Sequence, residues 1–148
     1  MSKSDAYEAD ILKLLMNATP ITGVADNTAT APLTFLSVAL HTADPGETGT
    51  QATNEAAYTG YARVSVARTA GGWAISGTAP TVAAPVAAIT FPACTAGAAG
   101  STVVTHFSVG PTGGGATKIF YSGTVTPNIS IGNGVTPQLG TGSTISED

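Results

Sequence analysis

Two periodicities divide the chain. Near the N-terminus Tyr7, Ile11, Leu14, Leu15 and Ala18 recur at i, i+4, i+7, i+8 and i+11, the spacing of one stripe on an amphipathic helix. Asp5 and Glu8 stand where the cap and the third residue of a capping box would stand. Pro20 ends the segment, because a proline inside a helix loses a hydrogen bond and clashes with the preceding turn. The expectation is a helix over residues 5–17, its stripe packed on the chain's own β-structure or on a neighbouring subunit. Every later periodic segment has period two. Leu36, Val38 and Leu40 alternate with Ser37, Ala39 and His41, the pattern of a half-buried strand.

The first strand breaks at Asp44-Pro45-Gly46. A residue before proline is biased away from the helical region, and a glycine accepts positive φ. A second strand enters at Tyr61, with Ala62, Val64 and Val66 on one face and Arg63, Ser65 and Ala67 on the other. The polar span 47–60 between them is too long for a tight hairpin and reads as a functional or interface loop. Further on, 73–77 follows a glycine pair, so 68–73 reads as a hairpin loop. Strands are expected at 86–91 and 103–109. The run Pro111-Thr112-Gly113-Gly114-Gly115 should turn the latter back into 118–122. Short β-prone pieces fill 124–145. Together these predict a mainly β chain, a jelly-roll or antiparallel β-sandwich with one N-terminal amphipathic α-helix. In domain terms this is a helical arm, 1–20, and one β-domain, 21–148, opening on a Thr/Ala/Asn-rich linker, 21–32.

Composition sharpens the picture. Only 9% of the residues are charged, against roughly 25% in ordinary soluble domains. Between residues 69 and 146 Lys118 is the one Asp, Glu, Lys or Arg. A free monomer usually keeps a mixed charged surface for solubility, so a long β-rich stretch with one charge points to surface covered by partners. The net charge of −4 and the lack of a basic cluster argue against nucleic acid. No apolar run is long enough to cross a membrane, and the N-terminus lacks the pattern of a signal peptide. Cys94 is the one cysteine, so no intrachain disulfide forms, which fits folding in a reducing cytoplasm.

The stretch LHTADPGETGTQATNEAAYTGYARV, residues 40–64, resembles the signature of a family of small tailed-phage virion proteins. The opening helix and the closing run to Glu147-Asp148 are similar too, so the resemblance covers most of the chain. Some members decorate or cement the capsid lattice, and others are described as tail-fibre-like. The resemblance implies a structural protein synthesised in the host cytoplasm and carried on the outer capsid surface of the virion. Its expected partners are the major capsid protein and itself, as a homodimer first and a trimer next.

Catalytic, cofactor and metal sites are not expected. His41 and His106 have no Cys, Asp or Glu at ligand spacing. Cys94 lies among Ala and Gly, with no cation near in sequence to lower its pKa for attack alongside His106. Gly110–115 lacks a following Lys-Ser/Thr. Asp26, Asp44, Glu47 and Glu55 fall in loops, with nothing to fix a carboxylate pair or a calcium loop. The candidate residues are those of an interface: Tyr7, Ile11, Leu14 and Leu15 on the helix, and Glu47, Tyr58 and Tyr61 in the central stretch. Tyrosines beside polar loop residues suit contact with a partner or stacking on a sugar, and equally a packed sandwich corner. The function expected is capsid cement; a tail-fibre-like or receptor-binding component and a carbohydrate-binding module are the alternatives.

Overall fold

The structure, a computed structural model, describes residues 3–21, 24–25 and 32–147. Most of the linker 21–32, with Asp26, lies outside the described residues. The fold is mainly β, and the described residues form one helix, α1 (Asp5–Asn17), and nine strands: β1 (Phe35–His41), β2 (Val64–Ala67), β3 (Trp73–Ser76), β4 (Thr81–Pro85), β5 (Ile89–Thr90), β6 (Thr102–Pro111), β7 (Tyr121–Ile131), β8 (Gln138–Leu139) and β9 (Ile145–Glu147). They form antiparallel sheets in the orders β2-β1-β6-β7 and β3-β4-β9, and β5 pairs with β8. The chain makes two compact units. The first comprises Met1–Phe35, Ala67–Ile89 and Leu139–Asp148; the second comprises Leu36–Val66 and Thr90–Gln138.

In the first unit α1 packs on β3, β4 and β9. Its N-cap is Ser4, one residue before the expected Asp5, and no side chain bonds the cap. Asp5 and Glu8 instead place negative charge in the first turn, where the helix dipole favours it. At the other end Ala18 takes the left-handed region (φ 54°), and the Thr19 N–H returns to the Lys13 carbonyl at 3.1 Å. The buried face carries Glu8, Leu12 and Met16. It is rotated by about a third of a turn from the Tyr7–Ala18 stripe, at about 100° per residue. Leu12 and Met16 join Trp73, Ala83 and Ile145 in the core. Arg68 then pins the helix end: its Nε donates to the Leu15 carbonyl at 2.7 Å, one Nη to the Leu14 carbonyl, and the other to the Leu33 carbonyl at 3.3 Å. A cation on the last carbonyls of a helix satisfies acceptors that the helix cannot.

In the second unit β1 is an inner strand, paired with β6 from Leu36↔Pro111 to His41↔His106. The half-buried expectation is corrected here. Every β1 residue after Phe35 is buried, because an inner strand covered on both faces leaves no solvent side. Ser37 and His41 are therefore buried polar groups that need partners. β6 turns through the glycine run into β7, the expected hairpin, with Val109↔Tyr121 next to the turn. Its register shifts between Val104↔Ile129 and His106↔Thr124, so the residues around Pro127 bulge.

Three strand expectations failed. The 68–73 turn exists, with the Trp73 N–H on the Thr69 carbonyl, but it links strands of different sheets. The 86–91 segment keeps only Ile89–Thr90 as strand. β4, five residues of Thr, Val, Ala and Pro, was missed because alanine and proline carry little β-propensity.

Candidate functional site

The central loop is built from its hinges inward. Asp44 Oδ1 accepts the Gly46 N–H at 2.9 Å, and Gly46 takes φ +69°. Farther on, the Thr42 N–H bonds the Asn54 carbonyl and the Ala56 N–H the Leu40 carbonyl, both at 2.8 Å. The loop is thereby closed on the end of β1, and its inner side buries Gln51 completely.

Gln51 and His41 hold this core together. His41 Nδ1 faces the Thr53 carbonyl at 2.8 Å, so that nitrogen carries the proton and donates. Nε2 then accepts from the Ser108 hydroxyl at 2.7 Å. Gln51 Nε2 donates to the Ser37 carbonyl at 3.0 Å and approaches Ser108 Oγ at 3.4 Å, while its Oε1 accepts from the Thr117 hydroxyl at 2.8 Å. Burial pushes the His41 pKa below its ordinary value, outweighing the Thr53 hydrogen bond and the nearby Glu55. Gly110 is required beside this core: a Cβ there would lie 2.3 Å from the Lys118 carbonyl oxygen and 3.1 Å from Gln51 Cδ.

Arg63 ties the loop to the β6–β7 turn. Nε and Nη2 grip both oxygens of Glu55 at 2.6 and 2.7 Å, the bidentate geometry in which guanidinium and carboxylate bond most strongly. The same side chain donates to the carbonyls of Gly113 at 3.2 Å and Gly115 at 2.7 Å and to the Thr117 hydroxyl at 3.0 Å. The Glu55 hydrogen bond, chiefly, raises the Arg63 pKa still further.

The two tyrosines belong to the same frame. Tyr61 donates its hydroxyl to Glu55 at 3.0 Å and accepts the Leu40 N–H at 3.1 Å. Its ring lies parallel to Phe91, with centroids 6.4 Å apart, and meets Tyr58 edge-on at 5.3 Å. Tyr58 is buried and donates to the Pro92 carbonyl at 2.8 Å, and burial raises the pKa of both. The packed-corner reading therefore describes Tyr58, which offers almost no surface for a partner. Outside the pair, an open groove of about 600 Å³ runs between the 55–63 segment and glycines 113–115.

The other candidates lie elsewhere. Glu47 is exposed on the outer part of the loop. Tyr7 is 46% exposed, and Ile11, Leu14 and Leu15 are half-buried on the flank of α1. Cys94 is buried, with its thiol on the Ala96 carbonyl, and His106 bonds the Thr105 hydroxyl. No cluster of His, Cys, Asp and Glu suited to a metal occurs among the described residues, and no described helix is long and apolar enough to cross a membrane. Sequence reasoning missed Gln51, Arg63, Arg68 and Ser108. The available signal was the polar half of β1, since Ser37 and His41 on an inner strand demand buried partners.

A family model described as Podophage GP4 fiber I protein gp80 matches residues 3–146. The search of curated proteins gives no match.

Proposed function

Because the chain belongs to the Podophage GP4 fiber I protein gp80 family, a family of phage virion proteins, we propose that it is a non-enzymatic building block of a virion fibre. The observation that supports this reading is the distribution of exposed apolar side chains. Among the described residues Tyr7, Val24, Leu33, Phe35 and Val86 are 38–72% exposed and belong to the first unit, while the second unit exposes Val103 at 39%. Ile11 and Leu14 continue the apolar flank of α1. Exposed apolar surface beside a charge-poor chain is surface made for protein contact. The chain self-associates as a closed dimer, with a trimer next in line, because symmetric closure is the common outcome for identical chains.

Capsid cement on the outer shell, bound to the major capsid protein, is the second reading. It is favoured by the stretch 69–146, with Lys118 its one Asp, Glu, Lys or Arg. Attachment there would be additive, many weak contacts resisting opening together. Quantified gels of purified virions separate the two. A band stoichiometric with the major capsid protein means cement; a minor band means fibre. Replacing Tyr7 and Leu14 with serine tests the contact face. Their half-buried state leaves about 1 kcal/mol each to gain on full burial, so the pair should weaken incorporation by roughly thirtyfold while shifting the melt of the free protein little. Equal incorporation of the variant removes the helix flank from the interface.

A further inference from the structure

We propose that the groove between the 55–63 segment and glycines 113–115 binds a neutral glycan of about two or three sugar rings, a volume within the usual range of small-ligand sites. This goes beyond a structural role on the virion and is independent of the first unit's contact face.

One wall is rigid. Glu55 pairs with His41 in an antiparallel bridge, and Tyr61 is held by its hydroxyl at two points and by Phe91 across its ring. A wall fixed before binding loses little entropy when a ligand arrives. The opposite wall is bare glycine. A Cβ at Gly114 or Gly115 would meet no atom within 4 Å, so the chain has room to fill this space and leaves it empty.

The chemistry of the lining selects the ligand. Glu55 and Arg63 cancel each other's charge, so nothing in the groove draws an ion. Arg63 spends its donors on Glu55, Gln51, Thr117 and the loop carbonyls. Glu55 Oε2 receives one bond, from Arg63, and keeps a lone pair for a hydroxyl donor. The exposed Ala57 and Ala62 present backbone N–H groups that bond no other described residue. Sugar hydroxyls both donate and accept, which suits a wall offering a carboxylate oxygen and free amides together. With its hydroxyl already engaged on both sides, Tyr61 contributes its apolar ring, the surface on which sugar C–H groups pack.

The test uses the whole chain on a printed array of neutral oligosaccharides, followed by titration of the strongest glycan. Ala62→Leu and Gly114→Leu each put an aliphatic side chain on a groove wall, and each should weaken binding at least tenfold with the melting temperature unchanged. Tyr7→Ser, outside the groove, should bind as the parent does. An array with no glycan retained above a blank overturns the proposal. So does a glycan that both leucine variants bind as tightly as the parent does, because it then binds elsewhere. If one leucine variant misfolds, the other decides.

Discussion

The two units solve the problem of a charge-poor chain in different ways. The first stacks one helix on a three-stranded sheet around Leu12, Met16, Trp73 and Ile145, a mainly apolar core that also buries Glu8 and Thr81, with the Arg68 guanidinium on the helix end. The second buries polar groups on its inner strand and satisfies them through Gln51, Ser108 and His41, with Arg63 and Glu55 at the rim. Apolar packing is non-directional and loses stability in proportion to the atoms removed. A hydrogen-bonded network is directional, and removing one member leaves others buried without partners. The first unit should therefore tolerate exchange of like for like, and the second should not.

The largest effect tests the first half of that contrast. Trp73→Ala should cost about 3–5 kcal/mol in denaturant unfolding. Trp73→Phe should cost much less, because the buried indole Nε1 has no hydrogen-bond partner to lose. A phenylalanine as damaging as alanine would mean that the indole nitrogen is held by a group outside the described contacts.

Next comes the network. Arg63→Met should destabilise by about 2–3 kcal/mol, the range for losing hydrogen bonds to a charged group at a partly buried site. Arg63→Lys should recover little of it, since an ammonium cannot make the bidentate fork. Adding Glu55→Gln to Arg63→Met should restore part of the loss, because the stranded carboxylate is then neutral. Additive losses in that cycle would show the pair to be worth no more than a surface contact.

Arg68→Ala should cost about 1–2 kcal/mol through the carbonyls it leaves. Its signature is local: hydrogen exchange should quicken at the end of α1, with the β6–β7 amides unchanged. Desolvation holds the Arg68 pKa below its ordinary value, but the guanidinium stays charged at any working pH, so this effect carries no pH dependence.

The smallest effect is the pH slope of the second unit. Burial lowers the His41 pKa from its ordinary value of 6.5. Below that value the unfolded chain takes up a proton that the folded chain resists, so stability should fall with pH until the lowered folded pKa is reached, and level off beneath it. Glu55 opposes the lowering, while Arg63 and His106 add to it. Denaturant unfolding from about pH 7.5 to about pH 5 should show the slope. His41→Gln should abolish that contribution, and an unchanged slope would remove His41 as its source.

What the sequence determined was local. Period 3.6 over residues 5–17 and period two thereafter fix one helix and a β-rich remainder, because each periodicity follows from backbone geometry alone. The glycine run 110–115 fixed the β6–β7 hairpin, and Asp44-Pro45-Gly46 the turn after β1. The tertiary structure decided everything that depends on which element lies inside. It chose the face of α1 that is buried, since Leu12 and Met16 win the core and Tyr7 remains outside. By placing β1 between two partners it also turned a strand with an alternating pattern into one buried on both faces. The same choice determined the fate of the tyrosines. A tyrosine in sequence is both apolar surface and hydroxyl, and only the positions of Pro92, Leu40 and Glu55, brought together from distant parts of the chain, settle which of the two remains free.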